Sequence, residues 1–203
     1  LIKKLSLYIM TINDDQLYIT KVLKGDTNAF SFLVEKYKDM VFTLAIKVTK
    51  NREEAEEISQ DSFIKAFKSL NKFKGDSKFS TWLYKIAYNN CMDLVKKNSR
   101  RYNTRGIDEV IENRIQSSES TMKTIERKER AVLMEQCLDE LPEDERTIIW
   151  LFYYEELSLK ELIDVTSFSE ANIKVKLHRA RKKLLSIVEE KLEPEMISHY
   201  GRK

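Results

Sequence analysis

Four glycines and two prolines in 203 residues are the strongest constraint on this chain. A β-sandwich or barrel needs a turn roughly every 8–12 residues, made largely from those residue types, and so few cannot supply them. Helices need fewer breaks, so the chain is expected to be all-α. The apolar spacing agrees. Phe30, Leu33, Val34, Tyr37, Val41, Leu44, Ala45 and Val48 recur at intervals of three and four, one face of a long amphipathic helix. Asn51-Arg52 interrupts the pattern, and Glu53 to Leu70 resumes it with Phe63, Ala66, Phe67 and Leu70 on a stripe. Glu53, Glu54, Glu56 and Glu57 suit the positive end of that helix's dipole. A loop from Lys72 to Ser77 surrounds Gly75, and a third helix opens near Phe79 with Leu83, Ile86, Ala87 and Leu94 on its stripe. A shorter helix, roughly Asp14 to Lys24, precedes these and ends at Gly25.

Periodicity fades from Ser99 to about Ile125, a stretch holding Gly106, Ser117, Ser118 and Ser120. It reads as a flexible linker whose reach is at most roughly 80 Å. Helical spacing returns from Arg127 to Glu140 with Ala131, Met134 and Leu138, and Leu141 continues the stripe. Pro142 is expected in the first turn of the next helix, with Glu143, Asp144 and Glu145 behind it. Ser158 and Glu161 have the spacing of a capping box. Ser169 is expected to cap a last helix that runs to about Leu192 and buries Ile173, Leu177, Ala180, Leu184 and Val188. Leu159 to Val165 and Glu170 to Leu185, joined by a short polar turn, form a predicted helix-turn-helix. The expected organisation is two small helical domains, 12–100 and 127–192, joined by the linker 101–126. A disordered extension 1–11 and a tail 193–203 flank them. At 42% hydrophobic, each half has enough apolar residues for a modest core.

Composition removes several functions. Cys91 and Cys137 are far apart, and only His178 and His199 are available. No metal motif can be written from them, and there is no glycine-rich phosphate loop. Neither metal nor cofactor is expected. A buried structural thiol suits Cys91 better than a redox sensor. No apolar run reaches the roughly 20 residues that cross a bilayer. The opening Leu1-Ile-Lys-Lys-Leu-Ser-Leu-Tyr-Ile-Met10 is too short a signal core and runs into Asp14-Asp15. A cytoplasmic protein is expected, with Leu1 a non-ATG start codon read literally and Met10 the true start.

The 36 bases and 33 acids nearly cancel, so their placement carries the information. Between Asn172 and Lys183 stand six bases and no acid: Lys174, Lys176, Arg179, Arg181, Lys182 and Lys183. Lys174, His178 and Arg181 share one expected exposed face, with Val175 and Arg179 beside it. A basic second helix of a helix-turn-helix suits the major groove, where its first turns meet base edges and later bases meet phosphates. A solvated cationic face is the plainer alternative.

A second basic zone, Lys65, Lys68, Lys72, Lys74, Lys78 and Lys85, surrounds the Gly75 loop, and Lys96, Lys97, Arg100 and Arg101 close the third helix. Phe73, Phe79, Trp82, Tyr84 and Tyr88 interleave with these bases, a mixture that suits unpaired bases on single-stranded nucleic acid. Phe79 and Trp82 equally fit a core, Trp82 more readily than a stacking platform. Lys74, Tyr88 and Asn89 are harder to place inside. Glu53, Glu54, Glu56, Glu57 and Asp61 form an acidic face, either solvated or a dock for a basic partner helix.

Residues 53–67, Glu-Glu-Ala-Glu-Glu-Ile-Ser-Gln-Asp-Ser-Phe-Ile-Lys-Ala-Phe, resemble the core-binding segment of bacterial sigma factors. Phe73-Lys-Gly-Asp-Ser-Lys-Phe-Ser-Thr-Trp-Leu-Tyr-Lys-Ile-Ala87-Tyr-Asn-Asn-Cys-Met-Asp93 is similar to their promoter-melting and −10 segments. Leu141-Pro-Glu-Asp-Glu-Arg146, Ser158-Leu-Lys-Glu-Leu and Ile173-Lys-Val-Lys-Leu-His-Arg-Ala-Arg181 resemble the −35-binding domain. The two-domain form resembles the extracytoplasmic-function (ECF) group.

That resemblance implies a dissociable, non-catalytic specificity subunit, monomeric when free. Its implied partners are core RNA polymerase (the β′ clamp helices and β flap), promoter DNA and an anti-sigma factor. It implies that Glu57, Gln60 and Asp61 dock on the clamp helices. Phe73, Lys74, Ser77, Lys78, Trp82, Asn89 and Asp93 would capture −10 bases. Lys174, Val175, Lys176, His178, Arg179 and Lys182 would face the −35 element, with Val175 suited to a thymine methyl. At roughly 3.4 Å per base pair, the linker's reach limits the two DNA contacts to about 24 pairs apart. Ser167 stands where the family's turn commonly carries Gly, and Ile163 where a small residue is usual.

Two other readings compete. A helix-turn-helix regulator working without polymerase would carry a ligand or dimer module in its first half. An enzyme acting on DNA, such as a nuclease or recombinase, would need paired carboxylates for metal or a nucleophile backed by a base, and the acids Glu53/Glu57 and Asp144/Glu145 lack a nearby His or polar loop.

Overall fold

The computed structural model describes residues 14–102 and 122–191. The expected extension 1–11, most of the linker 101–126, the tail 193–203 and both candidate starts lie outside them. The described residues are helical, with α1 over 14–23, α2 Phe30–Thr49, α3 Arg52–Ser69, α4 Phe79–Tyr102, α5 Met122–Asp139, α6 Glu143–Tyr153, α7 Leu159–Thr166 and α8 Glu170–Lys191. They contain no strand. Short 3₁₀ turns, Thr27–Ala29 and Leu70–Lys72, enter α2 and leave α3.

Local chemistry sets the breaks. Gly25, at φ +105°, takes a backbone that side chains disfavour and ends α1. Lys50 adopts the left-handed conformation that closes α2, and its N–H returns to the Ile46 carbonyl. The Asn51 side chain then accepts from Glu54 N at 3.1 Å and starts α3. Pro142 is the N-cap of α6 rather than its first-turn residue, because its extended ψ of 141° precedes the helix. Helix α5 opens at Met122, ahead of the expected Arg127, because Met-Lys-Thr-Ile-Glu-Arg contains no helix breaker.

The chain divides into two units. In the first, α2, α3 and α4 pack mutually. Leu33, Val41, Leu44 and Ala45 of α2 meet Ala55, Ile58 and Ala66 of α3 and Phe79, Leu83 and Ala87 of α4, all buried. Helix α1 is fastened to α2 by Asp15, which accepts from Tyr37 Oη at 2.6 Å and Lys36 Nζ at 2.5 Å, and by the stacked rings of Tyr18 and Phe32. Burial and the Asp15 bond push the Tyr37 hydroxyl far above the usual phenol range, so it stays a donor. Between α3 and α4, the buried Asn90 amide donates to Ser62 Oγ at 2.8 Å and accepts from Lys65. This polar junction satisfies groups that burial alone would penalise.

In the second unit α5, α6 and α8 pack together, and α7 leads into α8. Its buried residues include Cys137, Leu141, Ile148, Leu151, Leu162, Ile173, Leu177, Ala180 and Ile187. Ala131 and Met134, expected on the buried stripe of α5, are exposed. On α8, Ile187 takes the buried place expected of Val188, because a 3.6-residue period carries the stripe from Ala180 to 187. The capping box forms: Ser158 Oγ accepts from Glu161 N, and the Glu161 carboxylate accepts from Ser158 N at 2.9 Å. Ser158→Ala is expected to remove about 1 kcal/mol from this unit, read as a lower thermal midpoint, while Ser158→Asp keeps most of it.

Candidate functional site

Helix α3 buries Ala55, Ile58, Ser62, Phe63 and Ala66, so rotation along the helix turns Glu57, Gln60 and Asp61 outward. All three are exposed, and Glu57 and Asp61 stand one turn apart on the same face. The neighbouring acids are partly engaged: Glu56 pairs with Arg52 at 2.9 Å, and Glu54 accepts from Asn98 at 3.2 Å. Beside this face an open groove runs between α2 and α3, lined by Val34, Phe42, Phe63 and Ile64, with Arg52 and Gln60 at its rim. Sequence reading missed the groove. Its signal was Ile64, an apolar residue one turn beyond Gln60 and off the buried stripe. The groove carries charges of both signs at its edge, Lys38 and Arg52 with Asp39 and Glu56, and the exposed acids Glu57 and Asp61 stand on the neighbouring face, where a basic partner helix would meet them.

The loop after α3 turns at Gly75, whose φ of +78° favours glycine. It brings Phe73 back onto α4. The Phe73 ring sits 5.7 Å from Phe79 and 5.4 Å from Trp82, and Phe79 lies 5.7 Å from Trp82 and 5.5 Å from Tyr37. Phe79 is core, whereas Phe73 and Trp82 are half-buried, so both the core and the surface readings of Trp82 hold in part. Lys74 and Lys78 are exposed on the loop, and the half-buried Ser77 lies between them. Asn89 and Asp93 are exposed on α4, seven and eleven residues past Trp82 and so on its stripe. Tyr88 corrects an expectation. It is 3% exposed, because Tyr84, Ala87, Tyr88 and Cys91 form the inner face of α4. Cys91 is buried too.

In the second unit, Ser167 takes the left-handed turn at φ 61° that Gly commonly fills, and the turn closes without it. Ser169 Oγ accepts from Asn172 N at 3.3 Å and starts α8. Ile173, Leu177 and Ala180 face inward. Lys174, Val175, His178, Arg179 and Lys182 are exposed along one stripe, with Lys174 in a surface pair with Glu170 at 2.6 Å. That pair holds the Glu170 carboxyl below its usual range.

Two bases depart from their expected places. Arg181 donates to Tyr153 Oη at 2.7 Å, and its guanidinium lies 5.7 Å from the Phe152 ring, so it belongs to the α6–α8 junction rather than the face of Lys174 and His178. Lys176, expected to face DNA, is half-buried. Its ammonium pairs with Asp144 and lies 5.3 Å from the Phe168 ring.

Residues 33–101 match the profile of Sigma-70 region 2, and residues 131–184 that of Sigma-70 region 4. The RNA polymerase sigma-H factor of Pseudomonas aeruginosa is 33% identical over 181 residues, 85% of this chain and 93% of that protein. The chain belongs to the sigma-70 family. The ECF sigma factor SigW of Bacillus subtilis, 32% identical over 82% of this chain and 92% of its own length, places it in the ECF group. The fold agrees. CnrH, solved in complex with the cytosolic domain of CnrY, superposes with a TM-score of 0.62 at 22% identity, covering 88% of this chain and 99% of CnrH. RpoE of Bartonella quintana, solved with the anti-sigma factor NepR, gives 0.63 at 20% identity, over 80% and 98%. As in other sigma factors, the role of such a chain is to direct transcription initiation. Among the described residues, no helix is long and apolar enough to cross a membrane.

Proposed function

We propose that this ECF sigma factor binds core RNA polymerase through α3, reads the −35 element with α8 and captures −10 bases with α4 and its preceding loop. The observation that carries this reading is the division of sign within the first unit. An exposed acidic face on α3, with an apolar groove beside it, repels DNA and fits a basic polymerase helix. The loop and α4 carry exposed bases around the half-buried rings of Phe73 and Trp82, and fit unpaired DNA.

Mechanistically, Glu57, Gln60 and Asp61 dock the chain on the clamp helices of β′. Duplex contact by Lys174, Val175, His178, Arg179 and Lys182 places the −10 element over α4. Lysines at 74 and 78 then hold the backbone while Phe73, Trp82, Asn89 and Asp93 take flipped bases. Unstacking costs a few kcal/mol, and aromatic stacking at roughly 1–3 kcal/mol per base offsets it. The chain does no covalent chemistry in this scheme; the polymerase does.

The expected setting is the cytoplasm, with region 2 over 12–100 and region 4 over 127–192. An anti-sigma factor completes the scheme. The exposed apolar groove of Met134, Tyr153, Tyr154, Leu184 and Leu185 on the second unit suits such a partner or the β flap. Equilibrium binding of the labelled full chain to core polymerase tests the reading. One chain per core, saturable and tight, supports it. A folded chain that fails to bind core yet shifts duplex DNA refutes it.

A further inference from the structure

Among the bases of α8, Lys176 is the one that is not exposed. Lys174, Val175, His178, Arg179 and Lys182 are exposed, but the Lys176 side chain keeps only 20% of its surface and runs back across the second unit. Its ammonium meets the carboxylate of Asp144 in the first turn of α6, and it lies over the ring of Phe168 in the turn between α7 and α8. Asp144 is itself held: its other oxygen accepts from Glu145 N at 3.0 Å. One side chain therefore joins three elements, the start of α6, the helix-turn-helix turn and the DNA-facing helix.

The surroundings make this contact more than a surface pair. The Phe168 ring covers one side of the ammonium, and the Lys176 stem is largely shielded from water. The Lys176 side of the pair is thereby shielded, while the Asp144 side chain keeps 41% of its surface, so water screens the contact in part. The turn it spans includes the left-handed Ser167, so the α7–α8 angle is not fixed by a glycine there. A contact that ties α8 to α6 supplies a second constraint on that angle.

We propose that Lys176 is a positioning residue: through Asp144 and Phe168 it sets the pose of α8 and thereby the −35 specificity, without touching DNA. The inference rests on the reading of α8 as the −35 helix. Bases at 174, 179 and 182 carry the phosphate and base contacts, and Lys176 aims them.

A charge exchange tests this in the reconstituted holoenzyme, on a promoter recovered by selection from a random library with the wild-type chain. The readout is the ratio of transcription from the intact −35 element to that from a scrambled one. Lys176→Glu and Asp144→Lys are each expected to lower that ratio about tenfold, and the double exchange to return it to within about threefold. An exchange as defective as Lys176→Glu alone overturns the proposal, because a DNA contact cannot be restored from α6.

Should the charged variants fail to fold by circular dichroism, Lys176→Met decides. Its salt dependence of promoter binding stays as in the wild type if Lys176 is off the DNA. A slope lower by about 0.9 marks a lost phosphate contact and also overturns the proposal. A wild-type holoenzyme that initiates with no dependence on the −35 sequence refutes the parent assignment of α8, an outcome separate from both.

Discussion

Glu57→Lys/Asp61→Lys lowers affinity for core RNA polymerase on the order of 100-fold, with the helical fold intact. Both side chains are exposed on α3, so reversing them disturbs no buried contact within the chain. Losing a paired charge at an interface typically costs about 2–5 kcal/mol, and reversal adds repulsion against a basic partner helix. A loss of about 3 kcal/mol corresponds to that factor. The loss shrinks as salt rises, because the wild type gives up its own electrostatic attraction. Circular dichroism establishes that the variant is folded, and fluorescence anisotropy with labelled chain gives the affinity. Affinity within twofold of wild type puts the docking face elsewhere, the groove of Phe42 and Ile64 being the next surface to alter.

Trp82→Ala acts at a later step. Its ring is half-buried against Phe73 and Phe79, which leaves a surface open to a base. Removing one stacking platform forfeits roughly 1–3 kcal/mol, so promoter opening is expected to fall about 10- to 100-fold while binding to core is unchanged. Unchanged core binding also reports that α3 is still in place. A template with the −10 bases already unpaired narrows the deficit, since unstacking no longer has to be offset. A defect equally large on duplex and unpaired templates points instead to lost packing around Phe79.

How much of this the sequence discloses depends on the range of the interaction. The stripes of α2 and α4 are readable because a 3.6-residue period is a local property, and so is the Ser158–Glu161 box, whose partners are three residues apart. Tyr88, Lys176 and Arg181 are not readable in the same way. Each can face either side of its helix boundary, and the partner that decides is distant: Asp144 for Lys176, Tyr153 for Arg181, and the inner face of the bundle for Tyr88. A run of bases on one helix therefore overstates the charge aimed at DNA, and tertiary pairing withdraws two of them. Of the expected site residues, Glu57, Gln60, Asp61, Lys74, Lys78, Asn89, Asp93 and the α8 stripe without Lys176 stand at the surface, while Phe73, Ser77 and Trp82 are half-covered. The groove along α3 escaped because Ile64, off the buried stripe, is its one mark in the sequence; only the packing of α2 on α3 brings Phe42 beside it.

Transcription by core polymerase with and without this chain, on a promoter selected by the reconstituted enzyme, addresses the central claim most directly. The account predicts that a defined start site appears only when the chain is added, and that permanganate detects unpaired thymines at the −10 element. The signal falls when either the −35 or the −10 sequence is scrambled. A folded chain that binds the same duplex without polymerase, and leaves start-site choice and melting unchanged, would contradict it.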